Sequence, residues 1–141
     1  MNRYLIGFIL TVFMTSCNRD NCSKNVGFKV DYHLFSKINI DGDTYCNLVN
    51  KALKGDVDPI RQLSKIKVYD GASYQHGAIL IEVIDKISEQ EYLNIIQILN
   101  NKEKKHIYYS VLAAGLEYTS NPKYMGKSIE NAFPMFSRKM K

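Results

Sequence analysis

The chain has 141 residues, 45% of them hydrophobic, and carries a formal charge of +5. This length suits one domain, and this composition excludes a chain that is disordered throughout. The densest basic clusters lie beside Glu103 and in the C-terminal tail rather than along one stripe. We therefore expect no nucleic-acid partner, because nucleic-acid binders line up basic residues along one groove-facing element.

The N-terminus begins with Met1-Asn2-Arg3, a short positive segment that precedes the uncharged residues 4–14. Eleven helical residues at about 1.5 Å each span roughly half of a ~30 Å hydrocarbon core. This stretch therefore predicts the apolar part of an export signal rather than a membrane span. It ends at Met14-Thr15-Ser16-Cys17, where small residues precede a cysteine.

This run resembles the signal of bacterial lipoproteins, with Met14 at a position where leucine is commoner. The resemblance implies that the Cys17 thiol receives a diacylglycerol and that the chain is cut before it. It predicts a signal peptide over residues 1–16, a polar tether over 17–25 and a single helical domain over 26–141. The domain would then be lipid-anchored to a membrane of the bacterial cell envelope, facing the periplasm or the exterior. The alternatives are an ordinary secretory signal, with Cys17 left as a thiol, and a retained membrane anchor.

If Cys17 is lipidated, Cys22 and Cys46 remain as an even pair in an oxidising compartment. A disulfide between them would pin the N-terminal segment to the first strong helix, and two free or buried thiols are the alternative. The three histidines are too scattered for helical ligand spacing, and no Cys-x-x-Cys occurs. We expect neither a metal site nor a small-molecule cofactor.

Residues 26–34 carry apolar side chains at every second position, which favours a strand. Three of them, Val26, Val30 and Leu34, are also four residues apart, as on a helix face. A lone strand would lack a pairing partner. The sequence leaves this segment open between an extended strand and a helix.

Helical signals follow a turn at Asp41-Gly42-Asp43, where Asp43 or Thr44 is the expected N-cap. Ser88 and Glu91 have the spacing of a capping box. Pro134 is expected to interrupt a last helix. The predicted helices cover residues 44–54, 56–67, 72–87, a segment from 88 to 99, residues 103–118 and a tail from 128.

Short turns between these helices favour antiparallel neighbours. The apolar pattern also repeats at an offset of 33 residues, so that Ile60, Leu63, Ile66, Ile79 and Val83 correspond to Leu93, Ile96, Leu99, Leu112 and Leu116. Such an offset is typical of stacked helical hairpins. The predicted fold class is mainly α: a small antiparallel helical bundle or a short α-solenoid of helical hairpins, with an N-terminal extended segment as an option.

His76 is the strongest candidate for a catalytic residue, because a histidine with a positioned partner can act as a general base. It shares its helix face with apolar residues, however, which favours a hydrogen-bonded core histidine. Glu82 and Asp85 could imitate a carboxylate pair, although solvated helix faces explain them as well. We predict no catalytic residue, and a small envelope hydrolase using His76 is the alternative.

The ten tyrosines are more informative, because tyrosine combines a large contact area with a polar tip and is enriched in protein interfaces. Adjacent tyrosines cannot share one helix face, so one of Tyr108 and Tyr109 should lie in the core. The alternative role is capping the ends of a small bundle. The candidate partner-binding residues are Tyr74, His76, Tyr108, Tyr109 and Tyr118.

These features together predict a membrane-tethered module that binds a protein partner in the periplasm or envelope. One concrete form is an immunity protein that neutralises a toxin acting in the periplasm, since such proteins are often small, exported and helical. An accessory or scaffold subunit of an envelope complex is a second form.

Overall fold

The computed structural model describes residues 21–30 and 32–140, so the predicted signal peptide and Cys17 lie outside the described residues. Two short helices come first, α1 (Asn21–Val26) and α2 (Tyr32–Lys37). Gly27 ends α1 with a φ of +75°, a conformation that glycine adopts without steric cost. The segment left open between strand and helix is therefore a helix end, a turn and a second helix. No strand occurs within the described ranges.

Helices α3 (Gly42–Ala52) and α4 (Val57–Lys65) form an antiparallel hairpin around Gly55. The expected N-cap of α3 was wrong by two to three residues. Asp41 caps this helix instead, because its carboxylate accepts a hydrogen bond from the Thr44 backbone N–H at 2.9 Å. The helix thus begins inside the predicted turn.

Helix α5 (Gly71–Ile87) is the centre of the fold. Eleven of its seventeen residues are buried, and it contacts α2, α3, α4, the helix that follows it and the segment 107–118. A helix that is apolar on nearly every side must be surrounded by other elements. Apolar residues are spread widely around the helix predicted for residues 72–87 because α5 is surrounded in this way.

Helix α6 (Glu89–Ile95) begins at Ser88, whose hydroxyl accepts a hydrogen bond from the Glu91 N–H, and continues into a 3₁₀ turn at Ile96–Ile98. A reciprocal capping box forms at the next helix start, which the sequence analysis did not single out. There the Asn100 side chain accepts from the Glu103 N–H while the Glu103 carboxylate accepts from the Asn100 N–H, both at 2.9 Å.

One continuous helix follows, built from α7 (Asn101–His106), a π-helical segment (Ile107–Leu112) and α8 (Ala113–Tyr118). We call it the composite helix. The chain then turns and ends in α9 (Ile129–Ala132), capped by Ser128, and α10 (Pro134–Met140). Pro134 begins α10, because a proline is tolerated in the first turn of a helix.

Helix α5 packs along the composite helix and also contacts α3, α4 and α6. The residues that meet between α5 and the composite helix increase in number along both segments. Tyr69 lies beside His106, Gly77 beside Gly115, and Glu82 beside Asn121. The two helices are therefore parallel. Helices α4 and α6 run antiparallel instead, because Arg61 donates to the Ile95 carbonyl whereas Ser64, further along α4, bonds to Tyr92, nearer the start of α6. This arrangement confirms the mainly α class and agrees with the small helical bundle of the prediction.

The closest approach of backbones in the core is between Gly77 and Gly115. A Cβ built on Gly77 would lie 2.7 Å from the backbone nitrogen of Gly115 and 2.8 Å from its Cα. No side chain fits between the two helices at this point. Gly77 therefore has a packing role that its isolated position in the sequence did not indicate.

A disulfide joins Cys22 of α1 to Cys46 of α3, with 5.0 Å between their Cα atoms. Cys22 is 1% exposed and Val26 is 4% exposed. The packed domain therefore extends to residues that the sequence analysis assigned to a tether ending at residue 25, since α1 contributes to the core. Closing a loop of this length stabilises a fold by about 3 kcal/mol through the entropy of the unfolded chain.

Among residues 21–30 and 32–140, no helix has both the length and the apolar character needed to cross a bilayer.

Candidate functional site

His76 lies in the core with none of its surface exposed. The backbone carbonyl of Leu63 can only accept, so Nε2 of His76 donates to it at 3.1 Å. Nδ1 is then the acceptor, and the Tyr45 hydroxyl donates to it at 2.7 Å. Both ring nitrogens are satisfied inside the protein. The interpretation of His76 as a hydrogen-bonded core residue agrees with this geometry, and its listing as a partner-binding residue was wrong.

Burial also determines the charge of His76. Removal from water disfavours the protonated form and lowers its pKa to about 4, against the smaller opposing effect of the hydrogen bond to Leu63. The ring is therefore neutral near pH 7. A fully covered neutral imidazole cannot reach a substrate, so the geometry gives no support to the proposed hydrolase role of this residue.

The adjacent tyrosines of the π-helical segment point to opposite environments, as expected. Tyr108 is 1% exposed and packs against Phe136 with 5.2 Å between ring centroids. Its pKa is raised, chiefly by burial. Tyr109 is 56% exposed. The prediction that Tyr108 binds a partner was wrong, because its ring is buried and cannot contact one.

The other two tyrosines predicted to bind a partner, Tyr74 and Tyr118, do not form one surface with Tyr109. Tyr118 is 40% exposed and contacts Phe28 edge-to-face, with ring centroids 5.7 Å apart. It follows Tyr109 by nine residues, which corresponds to roughly 13 Å along a helix. Tyr74 is 38% exposed, and the described ring contacts do not connect it to Tyr109.

Tyr109 instead belongs to a group that includes two residues the sequence analysis did not list as partner-binding. His106 precedes it by three residues on the composite helix, a spacing that puts two side chains on adjacent parts of a helix surface. The described ring contact of Tyr109 is with Tyr108, with 4.9 Å between the centroids. The ring of Tyr69, just before α5, lies 5.3 Å from that of His106. Tyr69 is 63% exposed, and the His106 side chain is half-buried. We call Tyr69, His106 and Tyr109 the aromatic patch.

Two rare backbone features flank the aromatic patch. Asp70, next to Tyr69, adopts φ 53° and ψ −139°, which is uncommon for a residue with a side chain. The π-helical segment begins at Ile107, directly after His106, and carries Tyr109. Strained residues and π-helical turns persist only where neighbouring structure compensates their cost, and they concentrate at functional sites.

The electrostatics of the aromatic patch are basic. Partial burial and then the positive charge of Lys67 lower the pKa of His106. Lys102 and Lys105 are exposed on the same helix, four residues before His106 and Tyr109 respectively. The Nε2 atom of His106 is buried and has no hydrogen-bond partner in the described part of the chain.

The carboxylates of Glu82 and Asp85 have a structural role. The Asn121 amide donates to Oε1 of Glu82 at 3.2 Å and to Oδ2 of Asp85 at 3.4 Å. The ammonium group of Lys123 lies 2.6 Å from Oδ1 of Asp85 and lowers its pKa, whereas burial raises the pKa of Glu82. These bonds hold the turn after α8 against α5. The two residues are partly buried and bonded, rather than free on a solvated helix face.

Two open clefts occur away from the aromatic patch. The larger, of about 550 Å³, is walled by Leu116, Met125 and Ile129 near the end of the composite helix. The smaller, of about 240 Å³, lies between the 3₁₀ turn and α10. In residues 21–30 and 32–140, no three histidine, cysteine or acidic side chains are close enough together to hold a metal ion.

The spacing of His106 and Tyr109 is visible in the sequence, whereas the approach of Tyr69 depends on the packing of α5 against the composite helix. Tertiary structure is therefore needed to recognise the aromatic patch. Comparison with family models, curated proteins and solved structures finds no match to this chain.

Proposed function

We propose that this chain is a lipid-anchored protein of the bacterial cell envelope that binds a protein partner through the aromatic patch. One observation carries the binding part of the proposal. The exposed ring of Tyr69 packs on the partly desolvated His106, and the exposed Tyr109 follows His106 by three residues. The backbone is irregular on both sides, at Asp70 and in the π-helical segment. Exposed aromatic residues on rigid elements are the usual anchors of protein interfaces.

The anchoring part rests on the N-terminal run that ends at Cys17. The disulfide between Cys22 and Cys46 supports it, because disulfides persist in the periplasm and outside the cell but are rare in the cytosol. It also leaves Cys17 as the single cysteine available for lipidation. An envelope address and an even remaining cysteine count are thus mutually consistent.

The anchor is tested by mass spectrometry of the native protein. We expect an N-terminal peptide that begins at Cys17 and carries acyl groups, and a Cys17→Ser variant that leaves the membrane fraction. A native protein that retains Met1, or that has an unmodified thiol at position 17, would contradict the anchored form of the proposal.

The binding surface is tested by photo-crosslinking in intact native cells. A photoreactive phenylalanine replaces Tyr69 or Tyr109, and in a matched control it replaces Met125, which is 62% exposed at another surface. We expect the same crosslinked protein from both patch positions and not from position 125. The product from position 69 should disappear when Tyr109→Ala is added. Equal products from all three positions would contradict a specific surface.

An immunity protein and an accessory subunit of an envelope complex would both bind a partner in this way. The identity of the crosslinked protein separates them. A partner that kills or inhibits cells lacking this chain would establish the immunity form, whereas a constant component of an envelope complex would establish the accessory form.

A further inference from the structure

The aromatic patch is surrounded by positive charges that the described part of the chain does not neutralise. Lys67, Lys102 and Lys105 are all exposed. The two ion pairs found in residues 21–30 and 32–140 lie elsewhere, between Arg61 and Asp58 and between Lys123 and Asp85.

Two nearby acids offset part of this charge and leave the surface net positive. The Glu103 carboxylate is engaged in the capping box, and Asp70 is the acid adjacent to Tyr69 in sequence. The surface consequently combines exposed aromatic rings with a net positive charge. A surface of this kind attracts a negatively charged one, which speeds association and excludes basic competitors.

We propose that the partner presents an acidic protein segment to this surface, with carboxylates beside Lys67, Lys102 and Lys105 and less polar groups against Tyr69 and Tyr109. This inference rests on the proposed function and names the chemistry of its partner. The lysines supply attraction and orientation, while the rings supply most of the buried contact area.

The state of His106 favours rearrangement on binding. Its Nε2 atom lacks a hydrogen-bond partner, and a buried polar atom left unpaired costs about 1–3 kcal/mol. An incoming carboxylate or backbone group that supplied this bond would recover part of that cost. The ring of His106 is therefore a local reporter of binding.

A bilayer with anionic lipids would also attract three lysines, at about 1 kcal/mol for each. The proposed lipid anchor already holds the chain to a membrane, however, so further membrane affinity would add little. A bilayer contact also does not need the defined backbone shape around Asp70 and Ile107. These considerations favour a protein partner.

The experiment repeats the crosslinking from position 109 in full-length protein that carries Lys102→Glu and Lys105→Glu. The matched control carries Lys51→Glu and Lys127→Glu, the same change of charge at two other exposed positions. Reversing two lysines that face carboxylates should lower the yield about tenfold, whereas the control pair should keep it within about twofold.

The result separates this inference from the function on which it rests. If the patch pair lowers the yield no more than the control pair, the acidic partner is wrong while the binding surface stands. If position 109 gives no protein product in the unmodified background, the proposed function fails and this inference fails with it. If the crosslinked product is phospholipid, a membrane occupies the surface and the inference is overturned.

A second measurement uses defined probes and the full-length protein in neutral phosphatidylcholine nanodiscs. We expect poly-L-glutamate to bind, to shift the NMR signal of the His106 ring, and to bind more weakly as salt is added. The patch pair should lose this binding and the control pair should keep it. Binding to phosphatidylglycerol vesicles without binding to poly-L-glutamate would overturn the inference.

Discussion

Two histidines on neighbouring helices have very different environments in this fold. His76 on α5 is fully buried, with a hydrogen bond at each ring nitrogen. His106 on the composite helix is half-buried, stacks with an exposed tyrosine and has an unpaired Nε2 atom. Burial lowers the pKa of both, and in His106 the charge of Lys67 contributes as well.

The difference indicates that one region stabilises the fold and that the other is available for binding. The core around His76 and Gly77 is closed, with both ring nitrogens of His76 paired and two backbones in contact. The aromatic patch around His106 is open, with exposed rings and an unsatisfied atom. Changes in the first region should therefore reduce stability, and changes in the second should reduce binding while leaving the fold intact.

The largest expected effect is a Gly77→Ala substitution in the closed region. The new side chain would collide with the backbone of Gly115, and backbone atoms cannot move aside as a flexible side chain can. The two parallel helices would have to separate, which we expect to cost about 3 kcal/mol or more. Urea unfolding followed by circular dichroism measures this loss.

Gly42→Ala is the matched control, because it also adds a methyl group to a helical glycine. The new Cβ would lie 3.5 Å from the ring of Phe35, an ordinary contact distance. Alanine is also favoured over glycine in helices, so stability should be unchanged or slightly higher. Equal losses in the two variants would contradict the special role of the Gly77–Gly115 contact.

The second effect is a dependence of stability on pH that originates in His76. Its pKa is about 4 in the folded protein, below the ordinary value of 6.5. Between these two pH values the unfolded chain binds a proton at His76 and the folded chain does not. The contribution is complete above about pH 6.5, falls as the pH is lowered and levels off below about pH 4. Its full size is about 3 kcal/mol.

A His76→Gln variant isolates this contribution, because carboxylates and the other histidines still titrate in it. The free energy of unfolding is measured for both proteins at several pH values between 7.5 and 4. The difference between the two curves should narrow as the pH falls. A constant difference over this interval would show that the pKa of His76 is the same in the folded and unfolded states.

A smaller loss is expected from Tyr45→Phe. The phenyl ring keeps the packing but removes the hydroxyl that donates to Nδ1 of His76. A buried acceptor left without a donor costs about 1–3 kcal/mol. Phe35 packs on the same tyrosine ring, with 5.9 Å between the centroids, and should keep that contact. A variant as stable as the wild type would indicate that water or a shifted side chain replaces the donor.

The helices of this fold could largely be predicted because their apolar spacing and their terminal residues agree. The prediction of residues 72–87 differs by one residue from the observed Gly71–Ile87, since every turn of α5 faces the core. The start of α3 was misplaced because several adjacent residues, Asp41 and Asp43 among them, can each act as a cap. Local sequence does not choose between such equivalent residues.

The contacts between distant parts of the chain were harder to predict. The offset of 33 residues suggested stacked hairpins, but it did not indicate that Gly77 would meet Gly115. Periodicity also placed His76 on an apolar face without identifying Tyr45 and Leu63 as its partners. Pairwise partners depend on the exact rotation of each helix, and the π-helical segment changes that rotation after His106.

The smallest effect on stability is expected from Tyr109→Ala in the open region. The ring is 56% exposed, and its described ring contact is with the adjacent Tyr108. Substitutions at exposed positions usually change the free energy of unfolding by no more than about 0.5 kcal/mol. Capture of the partner from position 69 should nevertheless be lost.

Tyr108→Ala is the matched comparison, because it removes the same ring from the neighbouring position. Tyr108 is buried against Phe136, so its removal should leave a cavity and cost about 3 kcal/mol or more. Two adjacent tyrosines would then separate the two regions: the loss of one ring destabilises the fold, and the loss of the other abolishes binding. If Tyr109→Ala destabilised the protein as strongly as Tyr108→Ala, the aromatic patch would be a part of the core, and its exposed rings would no longer argue for a partner.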